Sequence, residues 1–447
     1  RKNVPLVALK MGVSEAARTA SVSHTAALVG SAAGASALFR RLGVAEVRSL
    51  AGMLEALKLF HVAGRLPSTA LASMSCSGGE ASLMADTAEG TDVVFPALTE
   101  QQQASLRQTL GPHIALSNPL DYNTFIWGDE EAMAATFTAM VMGDAALGVV
   151  ILDLPRADRC DPEAWWPTLR SVKAARARSG KPFAVLTSLG EGLPEDVAAD
   201  LMAAGVLPLH GMVEAVEAVA VAAPPPPVEA PLALPRPVQQ KRTLTEADAK
   251  ERLHAQGLPI PKGCLANSPD EAARMAAAIG GPVAVKGLGF AHKTEAGAVA
   301  LNLTSASDVA AAAEAMAAER YWVEAMVANA SAELLIGVNK DTAHGLLLTL
   351  APGGTLAELM QDKATLLLPA SRAEVAATLT TLRYAKVLNG YRGSRPCDME
   401  AILDAVMAVQ SFALAEPAIE IEINPLLCGQ DFAIAADALI VLGDADD

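Results

Sequence analysis

The chain has 447 residues, 52% of them hydrophobic and only 4% aromatic, with a formal net charge of −16. That length is too great for one core and predicts two to four domains. The acidic balance, with no basic stripe, excludes a nucleic-acid surface and binding to anionic membranes.

In chain order, "VPLVALK" (residues 4–10) predicts a first strand. "SVSHTAALVGSAAGASALF" (21–39) places one of only seven histidines, His24, in a small-residue run before a helix that opens at Gly30 and Ser31. "AGMLEALKLFHVAGRL" predicts a further helix, and "GRLP" (64–67) a domain boundary. The apolar runs "TALASMSC", "LGVVILDLP" and "PFAVLTSL" are of the kind buried on both faces. They alternate with helical stretches such as "EEAMAATFTAMVMGD" and "EAWWPTLRSVKAARARSG". This alternation predicts α/β architecture with parallel sheets covered by helices. The prolines of "AVAAPPPPVEAPLALPRPVQQKR" (220–242) predict an extended linker. Beyond it, "LTEADAKERLHAQGLPIPKG" opens a helix with a Thr-x-x-Asp cap pattern, and the late strands alternate charged with apolar residues. That second half is expected to be α+β and antiparallel. No apolar run reaches the length of a bilayer span, and the start does not read as a signal peptide. The five cysteines stand far apart without a Cys-x-x-Cys pair, as expected of reduced thiols in a cytoplasmic protein.

Several constellations carry chemistry. "EIEINPLLCGQDFAIAADALIVL" reads as two strands that set Asn424 beside Asp437. An amide oxygen, a carboxylate and waters suit magnesium; the alternative is an edge hairpin with polar residues facing solvent. Lys286 in "GPVAVKGLG", Glu324 in "YWVEAMV" and Glu333 in "AELLIGV" lie on or beside apolar strands. Buried charges are costly without partners, so convergence of these three on one cleft would account for them. In "SMSCSGGEASLMADTAE", Ser77, Gly78 and Gly79 lead from a strand into a helix at Glu80 and present amides to an anion. Any strand-to-helix turn also uses glycine. "SNPLDYNTFIWGDEE" gathers Asn118, Asp121, Tyr122, Phe125 and Trp127, either to line a substrate pocket or to pack a loop.

The order "AVKGLGFAHKTEAGAVALNL", "VEAMV", "AELLIGVNKD", "APGG", "EINPLL", "AADALIVL" resembles the ATP-grasp half of the NDP-forming (ADP-forming) acyl-CoA synthetases, relatives of succinyl-CoA synthetase. The likeness runs over residues 241–443. It implies Lys286, Glu324 and Glu333 near ATP/ADP and Asn424 and Asp437 on Mg2+. "SVSHTAALVGS" resembles the same family's phosphohistidine loop, which makes His24 the covalent phosphoryl carrier. Neutral imidazole is nucleophilic near neutral pH, so the assignment is chemically sound. The family also suggests a relay at His292 in "FAHKTEAGAVALNL", the alternative being a histidine that only hydrogen-bonds phosphate. It implies an orienting part for Asp362 in "LMQDKATLLLP", and helix amides at Ser77–Gly79 facing the phosphohistidine. Glu80 departs from simpler glycine-rich versions and is expected to touch substrate, with Asn118 and Tyr122.

The resemblance therefore implies a remnant phosphohistidine domain (1–66), a second flavodoxin-like ligase domain (67–222), a linker (223–240) and an ATP-grasp domain (241–447). It implies an acid–thiol ligase using a small carboxylic acid, coenzyme A and ATP, with a hydroxycinnamate-like acid suggested by the aromatic loop. The rival readings are an ATP-dependent CoA-activating lyase and a non-catalytic nucleotide-binding subunit. The family's CoA-binding domain has no counterpart in these residues and is expected upstream or in a partner subunit, within a homo-oligomer.

Overall fold

The structure, a computed structural model, describes residues 4–14, 16–17, 30–228, 231, 240–289, 297–354, 360 and 362–444. They gather into two compact units, Arg1–Val13 with Phe39–Val228 and Ser14–Leu38 with Glu229–Asp447.

In the first unit, β1 (Val7–Leu9) precedes α1 (Ala32–Leu42), whose last turn enters this unit, and pairs in parallel with β2 (Ala45–Val47). Next come α2 (Leu50–Val62), β3 (Leu71–Ser75), α3 (Gly78–Ala88), α4 (Glu100–Leu110), β4 (Leu120–Asp121), α5 (Glu130–Val141) and β5 (Leu147–Ile151). The unit ends with α6 (Trp166–Ser179), β6 (Phe183–Thr187), α7 (Glu195–Ala203), β7 (Leu207–His210) and α8 (Met212–Ala220). Five parallel strands run in the order β4-β3-β5-β6-β7. Every residue of β3, β5 and β6 is buried, which is why their sequences are mostly apolar, with only the small hydroxyl residues Ser73, Ser75 and Thr187 among them. The order reverses between β3 and β5, so the carboxyl ends of these strands frame the crevice where doubly wound sheets bind ligands.

The boundary expected at residues 64–67 does not divide this unit. Leu59, Phe60 and Leu66 share one apolar core with Leu147, Leu207 and Val216. Of the residues expected with the first domain, residues 30–38 group with the second unit.

The second unit begins with β8 (Lys241–Thr243), α9 (Glu246–Ala255), β9 (Gly263–Ala266), α10 (Pro269–Ile279), β10 (Val283–Gly287), β11 (Val299–Leu303), α11 (Ala306–Met316) and β12 (Tyr321–Ala325). It continues with β13 (Ala332–Asp341), β14 (Gly345–Pro352), β15 (Ala364–Leu367), α12 (Arg372–Thr381), α13 (Ala385–Leu388), α14 (Met399–Ala415), β16 (Ala418–Cys428), β17 (Ala433–Ala435) and β18 (Ala438–Gly443). A small antiparallel sheet runs β11-β10-β12-β9, and a larger one runs β15-β14-β13-β16-β18-β8 with β17 on β16. The long α14 lays Ile402, Val406, Val409 and Phe412 into the core of the larger sheet. Among the described residues, no helix is long and apolar enough to cross a membrane.

Asn118, read from sequence as a substrate contact, is consumed by the fold. Its Oδ1 accepts from the Ser73 amide at 3.1 Å, and its Nδ2 donates to the carbonyls of Leu71 at 2.8 Å and Pro96 at 3.2 Å. Replacing it with alanine leaves three backbone groups unpaired. Asn118→Ala is expected to lower unfolding free energy by about 2 kcal/mol in urea titration, with substrate KM unchanged.

Candidate active site

The densest charge in the second unit lies between its two sheets. Thr245 caps α9 by accepting the Asp248 amide at 3.2 Å, and the helix turns Glu246, Ala247, Ala249, Lys250 and Leu253 inward. Lys286 comes from β10 and Glu324 from the neighbouring β12. Lys250 Nζ stands 2.9 Å from Glu246, 2.6 Å from Glu324 and 2.7 Å from the Ala436 carbonyl. Lys286 Nζ stands 2.8 Å from Glu246, 2.9 Å from Glu324 and 2.6 Å from the same carbonyl. An ammonium has three hydrogens, so both lysines are saturated by one shared set of acceptors. Trp322 Nε1 donates to Glu324 at 2.7 Å. All four charged side chains are buried.

Burial, followed by the charge of Lys286, lowers the Lys250 pKa. Burial also opposes the charge on Lys286, but Glu246, Glu324 and then Asp437 outweigh it and hold that pKa above the ordinary lysine value. Glu324 joins Lys286 as the sequence predicted, whereas Glu246 and Lys250 went unread. Their spacing of four on a helix looks like an ordinary surface pair.

Glu333 does not enter this cluster. It lies on β13, where its amide donates to the Tyr384 hydroxyl at 3.2 Å. Its carboxylate covers Gly354, which has φ +68°; a Cβ there would stand 2.0 Å from Glu333 Oε2. Asp362 binds backbone among the described residues. Its two oxygens accept the amides of Arg383 at 3.0 Å and Tyr384 at 2.8 Å. It positions Tyr384 against β13, so its carboxylate already serves the backbone.

Asn424 and Asp437 do come together. The pairs Ile423↔Ala438 and Leu426↔Ala435 belong to one register, which sets Asn424 opposite Asp437. Asn424 Oδ1 accepts the Gly354 amide at 2.8 Å, and Nδ2 lies 3.4 Å from Glu422. Among the described residues, no group of three or more His, Cys, Asp or Glu side chains is arranged to hold a metal. One carboxylate and one amide oxygen still fit magnesium, which keeps much of its water. His24 and His292 lie outside the described residues.

In the first unit, α3 starts at the carboxyl end of β3. Ser77 Oγ accepts the Glu80 amide at 3.4 Å, and a Cβ on Gly78 would stand 3.1 Å from Asp121 Oδ2. The Ser-x-x-Glu spacing has capping-box form, yet Glu80 does not return to the Ser77 amide. The boxes at Thr99/Gln102 and Ser371/Glu374 both close. Glu80 Oε2 is instead buried without a partner among the described residues, as is the Tyr122 hydroxyl. Burial, then Asp153 and Asp121, raise the Glu80 pKa. Burial, then Cys76, Glu80 and Asp121, raise that of Tyr122. Tyr122 is fully enclosed, edge-on to Phe137 at 5.4 Å between ring centroids. Asp153 is spent on the turn at Ser188, whose amide it accepts at 2.9 Å.

The chain holds a doubly wound unit and a two-sheet unit with a buried lysine, the parts of a class that joins a flavodoxin-like domain to an ATP-grasp domain. Comparison with known families agrees: residues 237–442 match the ATP-grasp domain model, and residues 1–60 match the succinyl-CoA ligase like flavodoxin domain. The ADP-forming acetate–CoA ligase II subunit beta of Pyrococcus furiosus is 30% identical over 220 residues, covering 46% of this chain and 93% of that protein. The ADP-forming acetate–CoA ligase I of Archaeoglobus fulgidus is 26% identical over 475 residues, covering 98% of this chain and 66% of that protein. A trans-feruloyl-CoA synthase from an unidentified prokaryote is 26% identical over 463 residues, covering 98% of this chain and 65% of that protein. The chain thus spans about two thirds of the length of these two longer relatives. It belongs to the ADP-forming acyl-CoA synthetase family.

Removing one cation from a buried cluster leaves charge uncompensated. Lys250→Met is expected to cost about 3–5 kcal/mol of stability in urea unfolding, far more than an exposed helical pair. A loss below about 1 kcal/mol would mean that the cluster is not closed as described.

Proposed function

We propose that this chain carries the phosphoryl-transfer steps of an acid–CoA ligase that converts a carboxylic acid, coenzyme A and ATP to acyl-CoA, ADP and phosphate. The observation that carries this reading is Lys286, set from β10 into the buried heart of the ATP-grasp unit and anchored by Glu246 at 2.8 Å and Glu324 at 2.9 Å. Phosphoryl transfer asks chiefly for such positioning and charge neutralisation. Because Lys286 is fully bonded, a nucleotide phosphate engages it only by displacing one acceptor. Asn424 and Asp437 would hold magnesium, which supplies neutralisation of phosphate charge.

In the proposed sequence, a histidine nitrogen bonds to the γ-phosphorus of ATP and ADP leaves. His24 is the carrier, and His292 is a relay near the nucleotide. The acid's carboxylate then takes the phosphoryl group, freeing the imidazole, and the thiolate of CoA displaces phosphate from the acyl phosphate. Ser77, Gly78 and Gly79 offer helix amides to the phosphoryl group. A partner subunit or further domain that binds CoA, and assembly as a homo-oligomer, belong to the same proposal.

The acid we propose carries a hydroxyl group, as in the hydroxycinnamate class. A hydroxyl donates to one partner and accepts from another, which matches Glu80 Oε2 and the Tyr122 O–H, neither of which has a partner among the described residues. The relative that makes feruloyl-CoA is consistent with this choice, while the acetate ligases show that the family also takes acids without a hydroxyl.

Two measurements test the reading. Label from γ-labelled ATP and magnesium should map to His24 in alkaline peptide analysis, vanish in His24→Ala, and fall in His292→Ala. Label on neither histidine in folded, ATP-binding protein would refute the carrier assignment. For the acid, Tyr122→Phe should lose about tenfold in kcat/KM on a hydroxylated acid relative to its deoxy analogue. Equal loss on both would remove the hydroxyl assignment.

A further inference from the structure

The hairpin between β13 and β14 makes a contact that the steps above do not use. Asp341 ends β13, and its two carboxylate oxygens do different work. Oδ1 shapes the tip by accepting the amides of Ala343 and His344, each at 2.9 Å, and lies 2.9 Å from His344 Nδ1. Oδ2 reaches out of the hairpin and accepts the Ser31 amide at 2.8 Å. That amide is one of the unpaired donors at the start of α1, where a carboxylate is electrostatically favoured.

The imidazole of His344 packs close to the same turn. A Cβ on Gly30 would stand 2.4 Å from His344 Cε1, and one on Gly34 would stand 2.7 Å from His344 Nδ1. Only residues without side chains admit the ring at both positions. Further along α1, Ala37 and Leu38 pack on Leu347 and Leu367 of β14 and β15. Both hairpin side chains are nearly enclosed, at 8% exposure for Asp341 and 12% for His344. Burial would raise the Asp341 pKa, but the bonds from Ser31, Ala343 and His344 outweigh it and hold the carboxyl at about 2.

We infer that Asp341 and His344 form a dock that fixes the root of the His24-bearing segment on the ATP-grasp unit. His24 stands seven positions before Ser31. Seven residues span at most about 25 Å, so a fixed Ser31 bounds the volume in which His24 works. The dock's consequence for catalysis rests on His24 as phosphoryl carrier; the dock itself rests on the contacts alone. Asp341 and His344 are positioning residues and touch no reacting atom.

The test separates the two ideas. In Asp341→Asn, an amide oxygen can keep shaping the tip, while its NH2 group faces the Ser31 amide, donor against donor. Amide exchange at the first turn of α1 should quicken about tenfold in the full-length Asp341→Asn chain, with β13 and β14 unchanged. Gly34→Ala, whose Cβ would stand 2.7 Å from His344 Nδ1, should produce the same local opening. Unchanged exchange in both Asp341→Asn and Gly34→Ala would overturn the dock. For catalysis, the labelling rate of His24 from ATP should fall about tenfold in Asp341→Asn with ATP affinity unaltered. A labelling rate equal to wild type would overturn the positioning role. If wild-type His24 takes no label at all, the carrier reading fails, while the exchange result still decides the dock.

Discussion

Two lysines and two glutamates occupy one buried volume in the second unit, and the unit's architecture follows from keeping them paired. Each ammonium bonds to both carboxylates and to the Ala436 carbonyl. Taking four charges out of water is tolerable only with that degree of mutual satisfaction. The acceptors come from α9, from β12 and from the chain between β17 and β18, so the cluster ties the small sheet to the large one. It also stores a cation in a low-dielectric site without a free donor. Under the proposed function, a nucleotide would compete for Lys286, and phosphate binding and rearrangement of the cluster would be one event.

The first unit uses buried polarity in the opposite way. Around Lys286 every donor is matched, whereas at the β3–β5 switch point Glu80 and Tyr122 are left unmatched. The open capping box is informative because the same chain closes two others, at Thr99 and Ser371. A carboxylate withheld from its own helix and pushed toward neutrality by burial, Asp153 and Asp121 is a costly local arrangement. Costs of that kind collect at sites that bind something.

Much of the fold was legible in the sequence for a simple reason. Strands buried on both faces need mostly apolar side chains, so β3, β5 and β6 stood out as apolar runs. Lys286 and Glu324 stood out because charges within such runs demand partners. Glu246 and Lys250 did not, since a helix displays the same pair on its solvent face in most proteins. The turn at Gly64–Pro67 ends a helix, but the apolar core continues beyond it. Here Leu59 and Phe60 share their core with strands almost ninety residues on or more. Asn118 resembled a pocket residue because an amide in an aromatic-rich loop has the same appearance whether it binds ligand or backbone.

The account's central claim is that this chain itself accepts the γ-phosphoryl group of ATP before any acid or thiol is present. The most direct measurement is a rapid-quench count of ADP formed from chain and MgATP alone, without acid or CoA. The account predicts a burst of about one ADP per chain, followed by no further turnover until both co-substrates are added. No ADP burst from well-folded, nucleotide-binding protein, or AMP and pyrophosphate appearing only with the acid, would contradict it.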